Sequence, residues 1–294
     1  MSRLFGLAFV SALLVSACTD SPGTSSTTMT VTISQSTLPM LGSGYVYEGW
    51  FITAAGPQST GRFSVDANGT PTPATSMVDS TIVDAATAAV ITIEPATNDD
   101  PAPSQVHLVG GDLAGHAADL KVSYAAALGT DFSTAAGSYV LATPSTAANT
   151  ADNNQGIWWL VPPATSGGSP TPGLTLPTLP AGWKYEGWVA GAAGPVSTGK
   201  FTSVSGADSD GAGPTAGTDA APPFPGQDFI NPAMVLTSGF KAVISVEPDP
   251  DDSPMPFAIK PLIANPIGTQ TAPTSLPMAL SASPGFPTAH IAAS

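Results

Sequence analysis

The sequence predicts an all-β protein built from two tandem copies of one antiparallel unit, and three observations predict it. Glycine and proline are abundant, with 30 Gly and 31 Pro in 294 residues, which interrupts any long helix. Between those breakers lie short apolar runs rich in β-branched residues, of strand length. Residues 45–63 return as residues 183–201 with most identities kept, the sign of an internal duplication.

Composition narrows the function classes. Seven Lys and Arg stand against 21 Asp and Glu, a net charge of −14 with a pI near 4.1, which excludes electrostatic nucleic-acid binding. Charged residues make up only 10% of the chain and hydrophobic ones 42%, a balance that favours folded strands over an acidic disordered chain.

The first element is an address. Arg3 precedes an apolar run from Leu4 to Val15, too short to cross a bilayer, and Val15-Ser16-Ala17 stands directly before Cys18, the single cysteine. Small residues before a cleavage point suit a signal peptidase, so residues 1–17 read as a secretory signal. Val-Ser-Ala-Cys resembles the lipobox of bacterial lipoproteins. The resemblance implies that the Cys18 thiol receives a diacylglycerol and becomes the mature N-terminus, with acyl chains that hold the protein to a membrane at about 0.8 kcal/mol per buried CH₂. Thr19, where an aspartate is associated with inner-membrane retention, favours the outer membrane. Residues 18–30 are small, polar and aperiodic and read as a tether.

The repeat follows, with a first unit expected over 31–150 and a second over 151–294. Tyr45 to Ile52 alternates, Ala-Ala-Gly-Pro breaks the run, and Ser59 to Val65 resumes it: a β-hairpin with a loop longer than two residues. Centring the turn on Ala55 sets Glu48 opposite Arg62, and centring the second on Ala193 sets Glu186 opposite Lys200. Such cross-strand pairs contribute roughly 0.2 to 1 kcal/mol and help fix register. A buried strand follows in each copy, 88–94 and 241–247, each stopped by Glu-Pro. The second matching block is offset by 153 rather than 138, which places an expanded loop between 203 and 227 of the second copy. Further strands are expected at 105–110, 120–124, 138–142 and 156–161. Short strands at this spacing predict an antiparallel, Ig-like β-sandwich in each half.

The ordered motifs Tyr-x-x-Trp, Gly-Pro-x-Ser-Thr-Gly-[Arg/Lys]-Phe and an apolar strand ending in Glu-Pro with a Pro-containing loop after it occur twice. They comprise Tyr47, Trp50, Gly56, Pro57, Ser59, Gly61, Phe63, Glu94, Pro95 and Pro103, then Tyr185, Trp188, Gly194, Pro195, Ser197, Gly199, Phe201, Glu247, Pro248 and Pro256. This order resembles the extracytoplasmic C-terminal domain of anti-sigma-K factors. The resemblance implies the fold, an extracytoplasmic location and a sensing or protein-docking role. It does not carry over sigma-factor sequestration, because such factors place a cytoplasmic segment and a transmembrane helix ahead of this domain and this chain has no apolar run of that length.

Chemistry-bearing motifs are sparse. Nucleophile signatures such as Gly-x-Ser-x-Gly are absent, and His107, His116 and His290 lack metal-ligand spacing. Carboxylates offer the metal case: Glu94 with Asp99 and Asp100, and Glu247 with Asp249, Asp251 and Asp252, collect the hard oxygens that calcium prefers. The same residues also suit loops that bond their own backbone. The aromatic cluster of Tyr45, Tyr47, Trp50, Trp158, Trp159, Trp183, Tyr185 and Trp188 reads as core. The expectation is a non-enzymatic, membrane-anchored extracytoplasmic binding module. Its partners are the membrane, through the lipid, and an envelope protein; no nucleic acid and no small-molecule cofactor is expected. The alternatives are an enzyme acting on envelope polysaccharide through paired carboxylates and a calcium-stabilised surface protein.

Overall fold

The computed structural model describes residues 27–165, 167–251, 253–281 and 285–294. The expected signal over residues 1–17, the expected lipidation of Cys18 and the calcium candidate Asp252 lie outside them. Among the described residues strands dominate, and the one α-helical segment is α1 (Ser80–Ala85), six residues capped by Asp79, whose carboxylate accepts the Thr81 N–H at 2.9 Å.

In chain order the first nine-stranded sheet takes β1 (Thr28–Ser34), β2 (Tyr45–Thr53), β3 (Gly56–Val65), β4 (Pro71–Thr72), β5 (Thr75–Asp79), β6 (Ala88–Pro95), β7 (His107–Asp112) and β8 (Ala117–Lys121). The chain then builds a second sheet from β9 (Ala136–Val140), β10 (Gly156–Trp158), β13 (Leu174–Thr175), β14 (Trp183–Gly191), β15 (Gly194–Phe201), β16 (Gly226–Asp228), β17 (Lys241–Pro248), β18 (Leu262–Ala264) and β19 (Ser275–Leu280). The short pair β11 (Leu160–Val161) and β12 (Thr171–Pro172) stands apart, and the last strand, β20 (Thr288–Ala293), returns to the first sheet between β8 and β1.

The sheets therefore do not divide at 150/151. β9 precedes that point yet lies in the second sheet beside β19, and β20 closes the first sheet from the far end of the chain. Alternation of apolar residues tells a strand which face to bury, not which neighbour to pair with, and both exchanges join segments far apart in sequence. Three residues of the expected tether also belong to a strand: Thr28 pairs with Asp79, and Met29, Val31 and Ile33 alternate inward.

Every pairing in both sheets is antiparallel. Each sheet curls until strands near its two ends meet. β5 lies beside β3, where the Ser76 hydroxyl donates to the Thr60 carbonyl, and β16 lies beside β15. One apolar core runs through both sheets, from Val31, Phe51 and Ile91 to Trp159, Ile244 and Leu262, and Phe132 meets Phe286 edge-on at 5.8 Å. Aromatics of the repeat are in it, Tyr47 stacked on Phe63 at 5.5 Å and Tyr185 on Phe201 at 5.7 Å, while Trp50 and Trp188 are buried outside it and Trp158 packs in a small second cluster with Val140, Leu160 and Phe224. The Tyr47 and Tyr185 hydroxyls donate to Pro39 and Pro177 carbonyls, each at 2.6 Å, so the Leu-Pro segments ahead of the two copies are pinned alike.

The hairpins turn more tightly than expected. Thr53 pairs with Gly56 and Gly191 with Gly194, which leaves two-residue loops. A β-bulge restores the register: Glu48 faces Arg62 and Glu186 faces Lys200, while beyond the bulge Trp50 faces Ser59 and Trp188 faces Ser197. The bulge needs glycine twice. Gly61 and Gly199 hold φ of 112° and 100°, and a Cβ on Gly49 or Gly187 would strike the hydroxyl of Thr60 or Thr198.

Candidate functional site

The bulged hairpins carry a polar network that each copy repeats. In the first, Glu48 on β2 is 6% exposed; its Oε1 accepts the Ser59 hydroxyl and its Oε2 lies 3.7 Å from Arg62 Nε. Arg62 reaches on to the Pro95 carbonyl and, at 3.5 Å, to Asp99. Glu94 at the end of β6 takes the Thr92 hydroxyl and the Ser104 N–H, the latter at 2.9 and 3.1 Å from its two oxygens. Trp50 Nε1 donates to Thr92 Oγ1 at 2.9 Å and ties the indole into the chain of bonds.

The second copy reproduces this chain. Ser197 donates to Glu186 Oε1 at 2.5 Å, Trp188 Nε1 donates to Ser245 Oγ at 2.7 Å, and Glu247 takes the Ser245 hydroxyl and the Phe257 N–H at 2.8 and 3.1 Å. Lys200 replaces Arg62: its Nζ lies 3.8 Å from Glu186 Oε2 and donates to Asp251 Oδ2 at 3.0 Å. The carboxylates of these pairs are buried, while the side chains of Arg62 and Lys200 stay partly exposed. Burying a carboxylate costs several kcal/mol unless hydrogen bonds compensate, and here hydroxyls and N–H groups supply that compensation.

Burial raises the pKa of Glu48 and Glu186 above the usual carboxylate range, against the serine hydroxyl and the facing cation, which pull it down. Burial drives Glu247 further, up to about 7, despite Ser245 and the Phe257 N–H; Asp251 and Glu186 add to the rise. In both copies hydroxyl and N–H donors meet the carboxylates, while Arg62 Nε and Glu186 Oε2 are left without a hydrogen bond; the arrangement ties strands and loops together.

The second copy has an addition. Its expanded loop bonds to β15 at Lys200, with the Ser209 hydroxyl accepting the Lys200 N–H at 3.0 Å and the Ser209 N–H donating to the Lys200 carbonyl at 2.9 Å. That brings Asp208 and Asp210 against the open face of Gly199. Asp208 is pushed up to about 7 by burial and by neighbouring Asp210, against the Gly226 N–H that it accepts at 2.8 Å. The same loop leads into β16 and Asp228, fully buried, which accepts Trp158 Nε1 at 2.8 Å and the Ser145 hydroxyl and N–H at 2.5 and 2.8 Å.

The calcium candidates separate. Glu247 and Asp251 come together with Glu186, carboxylate oxygens of all three lying within 4.8 Å of one another. Asp249 turns away to Lys184 at 2.8 Å. In the first copy Glu94 is taken up by Thr92 and Ser104, Asp99 by Arg62, and Asp100 caps the Ala102 N–H at 2.9 Å. The histidines stay apart: His107 meets the Ala126 carbonyl, His116 meets Asp84 and His290 meets Asp119.

Sequence reasoning passed over the donors. Thr92 and Ser245 each stand two residues before Glu-Pro as the polar residue of an otherwise apolar strand, a signal present twice. Asp208, Asp210 and Asp228 have no counterpart in the first copy's repeat and left none.

Between the copies runs a groove of about 270 Å³. One wall is Pro39 to Gly42 with Tyr45 and Ile93; the other is Pro248, Pro250, Asp251, Ser253 and Met255 to Ala258 with Lys260. Met40 and Met255 stand on opposite walls, 64% and 54% exposed, although large apolar side chains elsewhere are mostly buried. Lys260 turns its ammonium onto the Phe257 carbonyl at 2.6 Å. No family model matches the chain, and no curated protein or solved structure matches it.

Proposed function

We propose that the protein is a lipid-anchored, extracytoplasmic module that docks an envelope protein through the groove between its two copies and performs no catalysis. The observation that carries this reading is the groove itself, since apolar walls from both copies converge there and expose two methionines, flexible and polarisable side chains suited to packing against another protein. The occupant is an extended apolar segment flanked by basic residues. The chain's charge of −14 favours basic flanks, and the groove's one ammonium is engaged by its own backbone.

The anchor reading rests on Arg3, the apolar run and Val-Ser-Ala before Cys18. The resemblance of the twice-repeated motifs to the anti-sigma-K C-terminal domain supports an Ig-like sandwich and a docking role. The buried carboxylates support a structural rather than catalytic assignment, because each is met by a donor from its own copy. Benzoylphenylalanine placed at Met40 or Met255, with Met77 on β5 as an exposed control, tests the reading in intact cells. One species captured from both groove positions and not from Met77, crosslinked through an apolar segment with basic flanks and lost from the membrane fraction with Cys18→Ser, supports docking. Equal capture at all three positions contradicts it.

A further inference from the structure

We propose that the second copy, and not the first, is a binding site for a hard divalent cation such as calcium, held by Glu186, Glu247 and Asp251 in place of the Lys200 ammonium. Oxygens of these three side chains lie within 4.8 Å of one another, a spacing that lets one ion touch all three while water completes the six to eight oxygens calcium takes.

The second observation is an orphaned acceptor. Glu186 is 4% exposed and its Oε2 accepts no hydrogen bond; its nearest cation, Lys200 Nζ, stands off at 3.8 Å while donating to Asp251 at 3.0 Å. A buried carboxylate oxygen without a donor is costly, and a divalent ion supplies what a single distant ammonium does not.

The duplication provides an internal comparison. In the first copy the facing cation is Arg62, whose guanidinium reaches Glu48, Asp99 and the Pro95 carbonyl together. Arg62 Nε itself stands 3.7 Å from Glu48 without a hydrogen bond, but the guanidinium spreads its charge over three acceptors, whereas a lysine presents one mobile point charge. The second copy makes that exchange and also sets Asp208 and Asp210 beside Gly199, the neighbour of Lys200. More negative charge around a weaker occupant is the combination that selects a doubly charged ion. The Lys200 side chain is 26% exposed, so it can leave toward solvent when an ion enters. Asp251 also lines the groove, so the ion fixes one groove wall; the site itself stands whether or not a protein docks there.

Trp188 makes the site observable, because its indole bonds Ser245, which bonds Glu247. Terbium, a luminescent stand-in for calcium, is titrated into the full chain with excitation of tryptophan. The expected result is saturable emission that calcium displaces, with affinity reduced at least about tenfold by Glu186→Gln and by Asp251→Asn and unchanged by Glu48→Gln. Lys200→Met removes the competing ammonium and lowers the half-saturating concentration. Absence of calcium-displaceable emission, emission untouched by both carboxylate variants, or weaker binding in Lys200→Met overturns the assignment. The last arm holds even if the carboxylate variants fail to fold.

Discussion

The Ser197 hydroxyl donates to Glu186 Oε1 across the β14–β15 hairpin at 2.5 Å, and Ser59 does the same for Glu48 138 residues earlier. Each serine also receives the N–H of its bulge glycine, Gly199 or Gly61, at 3.1 Å, so one hydroxyl joins the bulge to the buried carboxylate. Ser197→Ala leaves Glu186 without a hydrogen-bond donor and destabilises the chain by about 1–3 kcal/mol. Urea unfolding measures it, and Ser59→Ala gives a loss of the same sign.

The indole N–H groups of Trp50 and Trp188 act one step further along the same chain of bonds, on Thr92 and Ser245. Trp188→Phe keeps an aromatic ring, removes that donor and some packed volume, and lowers stability by about 1–3 kcal/mol. Ser245→Ala in the Trp188→Phe background costs less than in wild type, because the two residues share one interaction; a double-mutant cycle by urea unfolding shows it.

Much of this site was legible. The pairing of Glu48 with Arg62 followed from centring the turn on Ala55, although the turn has two residues and the strand a bulge; the two departures cancel by the time the chain reaches Glu48. The strands ending in Glu-Pro were read closely, at 88–94 against Ala88–Pro95 and at 241–247 against Lys241–Pro248, because apolar side chains on both faces mark a strand buried on both sides. Partner choice was not legible. β20 has the same alternation whether it pairs with β8 and β1 or with strands of its own half, and only the assembled sheet decides. Asp208 and Asp210 were hidden because an unrepeated loop carries them to Gly199.

Deleting residues 285–294 removes β20 from between β8 and β1, together with buried Ala289 and Ile291. The first sheet loses its continuity, while the β14–β17 ladder of the second keeps its partners. Hydrogen exchange is expected to show amides of β1 and β8 losing protection and those of β14 and β17 retaining it. Unchanged protection in β1 would contradict the pairing.

The pH response follows from Glu247. Its pKa in the folded chain rises to about 7 through burial, above the ordinary carboxylate value of 4.5, so the native state holds a proton that the unfolded chain releases. That contribution is complete below about pH 4.5 and is lost as pH rises through about 7. In metal-free buffer the wild type therefore loses on the order of 1–3 kcal/mol relative to Glu247→Gln between pH 5 and 8. Parallel urea titrations at the two pH values measure the difference, and an equal response in both proteins would exclude Glu247 as its source.

The proposed docking groove has Met40 on one wall and Met255 on the other. The most direct measurement is photocrosslinking from benzoylphenylalanine at Met255 in intact cells, with and without Met40→Asp on the opposite wall. The species captured from Met255 is expected to be lost, or reduced about tenfold, when the facing wall is charged, while Met77→Asp leaves capture unchanged. Capture from Met255 that persists in full with Met40→Asp would contradict a shared groove and assign any binding to the second copy alone.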